Sequence, residues 1–561
     1  MFRQWLHDTL TRLYPGHLFD VLVPPGAAMG DYSTNIAFVV AKAAKVNPRQ
    51  LAQEVCDALM REGAEMLARC EVAGPGFVNV FLKDEYLQGQ LGVVGVPAIG
   101  QGKRVIVEYS SPNIAKPMHI GHLRSTIIGD ALANVYAALG YDVVRWNFIG
   151  DWGTQFGKLI AAYKRWKDDA ALQAHPINEM LRLYVKFHDE MKEHSELERE
   201  GQEEFRKLEE GDAENREIWK RFRELSMGEF NRMYDRLAVR LQAATVKGES
   251  DYEADLKSLI ERLVAQGLAT ESEGALIVDL SAEGLAPALL RKSDGATLYL
   301  TRDLASLEDR IEKQNPAKIL YVVANQQALH FEQLFAVKDK LRLGSTETVH
   351  VKFGMVLGED GKKLATREGK VIALEEVLDE VTKRAAAVVK EKNAELADDD
   401  VKRIASTVAV GALKYNDLRQ HPYSDIVFDW DAMLDLGGNS GPYLQYTYAR
   451  LSGILRNAGD AKAIAGPALL LLTHPTERAL LRHLLDFGHA VAQCAHLYAL
   501  NGLALYLYEL AELANRYYEQ VRINDDDNAE RKRARLALVS AVAGRLKDGL
   551  ALLGIEVLER I

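Results

Sequence analysis

The segment from 104 to 148 constrains this chain more than any other. RVIVEYS, starting at residue 104, is a short apolar run rich in β-branched residues and reads as a buried parallel strand. From about Leu123 to Leu139, Ile127, Ile128, Ala131, Leu132, Val135 and Leu139 recur at helical spacing, and Gly140 supplies a helix stop. YDVVRWNF, from 141 to 148, reads as a second strand. Strand, crossover helix and strand make the unit of an open parallel sheet, which binds ligands at the carboxyl edge of its strands. Chemistry is therefore expected just after Tyr109. The turn there lacks the GxGxxG of dinucleotide binders, so hydride transfer loses support.

Apolar strand signals return at ALIVDL (275–280), TLYLT (297–301), KILYVVA (318–324) and TVHVKFGMV (348–356). Between them and the first unit lies a charged helical stretch, about 185–240, which reads as an inserted helical hairpin. The expected fold is α/β: a discontinuous, Rossmann-like parallel-sheet domain over 99–400 with helical insertions. Residues 1–98 mix helical patterns with FVNVFLKD (77–84), whose alternation suits a half-buried strand, and read as an appended α+β module. Periodic segments at 402–418, 442–458, 476–500, 502–521 and 529–551 predict an all-α helical bundle over 401–561. Its Tyr443, Tyr446, Tyr448, Arg450, Arg516, Tyr517 and Tyr518 can stack on bases and meet phosphates, or can be core aromatics beside solvated arginines.

At about 150 residues per domain, 561 residues give roughly three or four folding units. With 69 Lys and Arg against 80 Asp and Glu, the net charge of -11 excludes attachment to phosphate or membrane by bulk positive charge. Nucleic-acid contact then needs local patches. Cys56, Cys70 and Cys494 form no CxxC pair, which argues against a zinc knuckle or disulfide scaffold and fits a reducing cytosol. No apolar run reaches transmembrane length, MFRQWLHDTL is no signal peptide, and internal repeats are absent, so a soluble cytoplasmic protein is expected.

The strongest chemical signal is SSPNIAKPMHIGH at 110–122, ending one strand and opening a helix. Gly121 lets a nucleotide ring approach the backbone, and His119 and His122 can project together toward phosphates beside a positive helix terminus. Lys116 adds a mobile positive charge. Such fixed donors suit a reaction in which charge grows on an α-phosphate as pyrophosphate leaves. Two histidines near a turn can also be purely structural; their place after the first strand is what favours a site.

These residues belong to a wider set: VEYSSPNIAKPMHIGHLRST (107–126), GDWGTQFG (150–157), LYLTRDLA (298–305), ANQQALHFEQLF (324–335), GGNSGPYLQYTYAR (437–450) and LGI (553–555). With them the chain resembles class I aminoacyl-tRNA synthetases, whose first signature is HIGH, and within that class the arginyl-tRNA synthetases. The resemblance implies a ligase that converts L-arginine and ATP to arginyl-adenylate and pyrophosphate. Arginine then passes to the 2′-hydroxyl of the terminal adenosine of tRNA(Arg). It implies ATP with Mg2+ as substrate, with no tightly bound cofactor and no protein metal site. It further implies a tRNA-elbow role for the first domain, anticodon binding for the last, and arginine activation that needs bound tRNA.

The resemblance also assigns residues. Glu108, Asn113 and Gln327 fall at the α-amino end of the arginine pocket, and Tyr299 and Asp303, one helical turn apart, at the guanidinium. Gly354 and Met355 fall against the adenine, with His119, His122 and Lys363 at the phosphates. The second class signature, KMSKS, is altered here. GKKLATREG (361–369) keeps Lys363 but places Thr366 where a second lysine would stand, and Lys116 is expected to supply the missing charge. No general base is required, because a carboxylate is already a nucleophile at neutral pH. Asp151 and Trp152 can make a turn with a packed indole or touch the ligand. Arg531, Lys532, Arg533 and Arg535 can face phosphate or solvent. The rivals are another class I synthetase, disfavoured by the absence of ligand cysteines and of a large inserted domain, and a catalytically inactive tRNA-binding or scaffold paralogue. A monomer is expected.

Overall fold

Apolar β-branched residues do build the predicted sheet. Five strands, β1 (Arg104–Glu108), β2 (Asp142–Ile149), β3 (Val246–Gly248), β4 (Lys318–Ala324) and β5 (Glu347–Phe353), are all parallel and lie in the order β5-β4-β1-β2-β3. Ile106 of β1 stands opposite Val144 of β2 and Ile319 of β4, and Val105, Ile106 and Val107 are fully buried because helices cover both faces. The crossover helix α1 (Ile120–Ala138) leads from β1 to β2, whereas β4 lies on the opposite side of β1. The strand order therefore reverses between β1 and β4, and a crevice opens at their carboxyl ends. The structure is a computed structural model that describes residues 2–93, 95–241, 245–293, 298–358, 361, 372–459 and 467–561. Lys363 and Thr366 lie outside the described residues.

Several expectations are corrected. The described part of TLYLT, from residue 298, is no strand: from Tyr299 the chain is helical as α2 (Tyr299–Gln314), because Leu300, Leu304 and Leu307 bury one face at helical spacing. Ala275–Val278 does not join the parallel sheet but is the middle strand of a separate antiparallel sheet with Ala269–Ser272 and Ala288–Arg291. The helical insertion is wider than 185–240, beginning at Thr154–Trp166 and running through Pro176–Glu190 and Glu196–Glu210 to Ala213–Arg236. Phe77–Leu82 is an inner strand of a four-stranded antiparallel sheet, buried at five successive positions, so its alternation does not mark a solvent face.

Beyond β5, the short strand β6 (Val356–Leu357) precedes the helices α3 (Leu374–Lys392) and α4 (Asp398–Leu418). A strand β7 (Ile426–Val427) then pairs in parallel with β6, past the point where strand signals vanish from the sequence. The remaining helices match the predicted bundle, except that 476–500 breaks into Pro475–Leu484 and Phe487–Leu497. Among the described residues no helix is long and apolar enough to cross a membrane.

The amino-terminal module docks on this bundle through buried charge. Arg478 grips Asp31 with two hydrogen bonds of 2.8 Å each and also reaches Asp84 at 2.8 Å, while the Tyr32 hydroxyl donates to Asp486 at 2.9 Å. Asp31 is only 5% exposed. Removing its bidentate partner leaves a buried carboxylate with only the Leu82 N–H, at 2.7 Å, and the nearby Arg482 charge to hold it. Arg478→Ala is expected to destabilise the docked chain by about 3 kcal/mol, read as a shift in the urea unfolding midpoint.

Candidate active site

The five strand ends define one rim. Glu108 ends β1, Gly150 follows β2, Glu249 follows β3, Asn325–Gln327 is a helical turn after β4, and Gly354 follows β5. Of the residues expected in the site, those that are described lie on this rim, in the loop before α1, or on the first turns of α1 and α2.

The loop from β1 to α1 is bent against ordinary backbone preference. Ser110, Ser111 and Ala115 all have positive φ, at 71°, 46° and 60°. Hydrogen bonds hold them there: Ser110 N–H to Ser125 Oγ (3.0 Å), Ser111 N–H to Asn147 Oδ1 (3.1 Å) and Ala115 N–H to Ser226 Oγ (3.0 Å). The loop delivers His119 to the N-cap of α1. His119 Nδ1 accepts from Gly121 N–H at 3.0 Å, and His122 Nδ1 accepts from His119 N–H at 3.1 Å, with the two rings 3.9 Å apart. Because both Nδ1 atoms accept, each neutral ring carries its proton on Nε2. Burial, and then His119, pull His122 down to about 3, so it is neutral across the physiological range. A side chain on residue 121 would strike the His119 ring, at 2.8 Å from Cε1. The ring, not only a nucleotide, therefore demands the glycine. Lys116 Nζ lies 5.6 Å from the Tyr184 ring centroid, against the helical insertion.

The arginine-pocket candidates divide by environment. Tyr299 and Asp303 share the first turns of α2, and Tyr299 is 66% exposed. Asp303 Oδ2 meets His330 Nε2 at 2.5 Å. Asn113 and Gln327 are exposed at the rim. Glu108 is buried, and its carboxylate pairs with Arg310, whose guanidinium lies over the Trp146 ring at 4.7 Å. Burial raises Glu108 above the usual carboxylate range, Arg310 lowers it, and Asp303 raises it again, which places Glu108 and Asp303 within one field.

Sequence reasoning missed Glu249. Burial, and then the neighbouring Asp303 carboxylate, push it up to about 8, with Arg302 and the Trp152 backbone N–H acting against them. β3 spans only three residues, too few for periodicity to reveal a strand end at that position. The one usable signal is its place after the edge strand.

On the opposite side, Gly354 N–H donates to Pro422 O at 3.0 Å and Met355 N–H to Asp425 Oδ1 at 2.7 Å. Other expectations resolve toward architecture. Trp152 is buried edge-on against Phe205 and Trp219, and Asp151 accepts from Ser250 N–H and Oγ at 2.9 Å each and pairs with Arg223. Arg531 and Arg535 are both paired with Asp526, and Arg535 also with the buried Glu477, so neither presents an unpaired charge to phosphate. Tyr448 and Tyr517 are core residues, whereas Arg450 lies over the half-exposed Tyr518 ring at 5.5 Å.

Residues 88–430 match the family described as tRNA synthetases class I (R), catalytic domain; residues 444–561 match the DALR anticodon binding domain, and residues 2–82 the arginyl tRNA synthetase N terminal domain. The chain is similar to the arginine–tRNA ligase of Fusobacterium nucleatum, 39% identical over 548 residues that cover 97% of this chain and 95% of that protein. That of Enterococcus faecalis is 41% identical over 567 residues, covering 99% and 98%. Among solved structures, Thermus thermophilus arginyl-tRNA synthetase superposes with a TM-score of 0.85 at 27% identity, covering all of both chains. The Plasmodium falciparum enzyme gives 0.83 at 26%, covering 100% of this chain and 98% of that one.

Glu249 makes the ligand-free site pH-sensitive in a defined direction. Its folded pKa lies above its unfolded value, so the folded state holds the extra proton and stability falls as pH rises from about 4.5 to about 8. Glu249→Gln removes that penalty. The ligand-free variant is expected to unfold at a higher temperature than the parent at pH 8.5, with the difference closing toward pH 4.5, as read by thermal unfolding at several pH values.

Proposed function

Because the chain belongs to the arginyl-tRNA synthetase family, and so activates arginine with ATP and charges tRNA with it, we propose that the crevice between β1 and β4 is the site of both steps. One observation supports this most directly: Glu249 and Asp303 crowd at one end of the rim, while two Nε2-protonated histidines cap a helix at its centre. A guanidinium suits the first end, since a cation offsets both the burial and the Asp303 repulsion that keep Glu249 protonated. Phosphate suits the second, where Nε2–H donors add to the positive helix terminus.

In this reading Asp303, Glu249 and the Tyr299 hydroxyl hold the arginine guanidinium, and Asn113 and Gln327 meet its α-amino end. Glu108 is already paired with Arg310 and acts there through its field rather than by contact. The adenine lies on the backbone of Gly354 and Met355. His119 and His122 face the phosphates, with Lys116 and Lys363 bringing positive charge, and Mg2+ enters as part of the ATP substrate. The arginine carboxylate oxygen attacks the α-phosphorus, the bond to the β-phosphate oxygen breaks, and pyrophosphate leaves. The 2′-hydroxyl of the terminal adenosine then attacks the arginyl carbonyl and AMP leaves. Positioning and fixed donors carry both displacements. We further propose that the amino-terminal module meets the tRNA elbow, the final bundle the anticodon, and that the protein acts as a cytoplasmic monomer.

Incubation with total tRNA, ATP, Mg2+ and each of the twenty amino acids in turn is expected to give charging with arginine alone. Charging with none, while tRNA still binds, would instead support the inactive paralogue. Lys116→Ala is expected to lower arginine-dependent ATP–pyrophosphate exchange by about 100-fold with little change in tRNA affinity. Near-normal exchange would remove Lys116 from the phosphate site.

A further inference from the structure

Arg124 lies on α1, two residues beyond the HIGH turn, and is among the most deeply buried side chains of the protein, at 1% exposure. A guanidinium so placed requires compensation; it lies over the Phe353 ring at 5.7 Å, and every hydrogen-bond partner it finds is about 300 residues downstream. Nε donates to both Asp417 oxygens, at 3.2 and 3.1 Å, on the last turn of α4. Nη1 donates to Ser424 O at 2.9 Å and Nη2 to Pro422 O at 3.3 Å. Asp417 is itself buried and raised by that burial, with Arg124 acting to lower it, so the pair is mutually dependent.

The carbonyls that Arg124 grips belong to a segment with a second attachment. Pro422 O also accepts from Gly354 N–H at 3.0 Å, and Asp425 Oδ1 accepts from Met355 N–H at 2.7 Å. Ile426 N–H donates to Met355 O and Phe428 N–H to Leu357 O, each at 2.9 Å, extending the β6–β7 pairing. Contact there is close enough that a Cβ on Gly354 would stand 2.6 Å from both Asp425 Oδ1 and Ser424 O. The segment 417–428 thus touches α1 only a few residues from His119 and His122 and touches the adenine-side backbone at Gly354 and Met355. No other described hydrogen bond links α1 to this segment.

We propose that Arg124 is a positioning residue for ATP: its guanidinium sets the separation between the histidine-capped start of α1, which meets the phosphates, and the 354–357 backbone, which meets the adenine. This rests on the nucleotide site described above. Arg124 touches no substrate and acts through Pro422, Ser424 and Asp425. Apart from Asn113, in the loop before α1, the arginine pocket is built on β3, α2 and the turn after β4, and these are not part of this bracket. Loss of the bracket therefore weakens ATP binding selectively, whereas general loosening of the fold affects both substrates.

Arg124→Lys tests this directly, because lysine keeps a cation for Asp417 but cannot hold a carboxylate and two carbonyls in one plane. In tRNA-supplemented ATP–pyrophosphate exchange, KM for ATP is expected to rise about tenfold and KM for arginine to change less than twofold. Asp425→Ala, at an exposed position, breaks the far end of the same chain and is expected to raise KM for ATP in the same selective way. Equal rises in both KM values, or an unchanged KM for ATP in either folded variant, would overturn the proposal. Photolabelling of the parent protein with 8-azido-ATP separates the premise from the inference. Labelling at 354–357 together with an unchanged KM for ATP in the variants overturns the bracket alone. Labelling elsewhere removes the adenine site and the bracket with it.

Discussion

Helix α1 has almost no solvent face. Fifteen of its nineteen residues are buried, among them Arg124, Ser125, Thr126, Asp130 and Asn134, and each of these polar groups must find its partner inside the protein. Ser125 Oγ donates to Val322 O at 2.7 Å while accepting from Ser110 N–H, which joins β4 to the turn after β1. Asp130 accepts from the Tyr109 hydroxyl and from Arg240 N–H. Asn134 donates to Leu552 O and accepts from Arg145. The sheet, the loop that presents the histidines, the returning helix α4 and the final helix are all referred to this one buried rod, so the geometry of the crevice is the geometry of its satisfied polar groups.

Against that rigid reference the site divides by charge. At the proposed phosphate end the protein keeps His122 neutral and spends the Nδ1 atoms of both histidines on the backbone, so the rings are already oriented before an anion binds. At the proposed guanidinium end it does the reverse, burying Glu249 beside Asp303 so that burial first and the neighbouring carboxylate second keep Glu249 protonated. The first arrangement is preorganised and the second is under electrostatic stress, which the guanidinium proposed to bind there would relieve.

The sequence revealed these features unequally. β1, α1 and β2 were legible because a doubly covered strand is apolar throughout and a helix stop followed at Gly140. The bundle helices were legible because amphipathic periods run unbroken for many residues. Tyr299 was misread because Leu, Tyr and Thr suit a strand locally, and only the later leucines at 304 and 307 reveal the helical period. Glu249, Arg124 and Arg310 were hidden for a different reason. Their meaning depends on partners distant in the chain, Asp303, Asp417 and Glu108, and neither local pattern nor spacing encodes such pairs.

Those distant partners also impose an order on how the protein comes into being. Asn134 on α1 donates to Leu552 O, a partner 418 residues further along, and Lys414, whose amine burial brings down to about 8, donates to Gly554 O at 2.6 Å. At about 5–20 residues per second, a ribosome needs on the order of 20–80 s to travel from the first of these groups to its acceptor. Throughout that interval the nascent helix carries polar groups whose native partners do not yet exist, so water or a chaperone must serve them instead. The parallel sheet can form early, but the interior of its central crossover is completed only when the last helix has been made and docked.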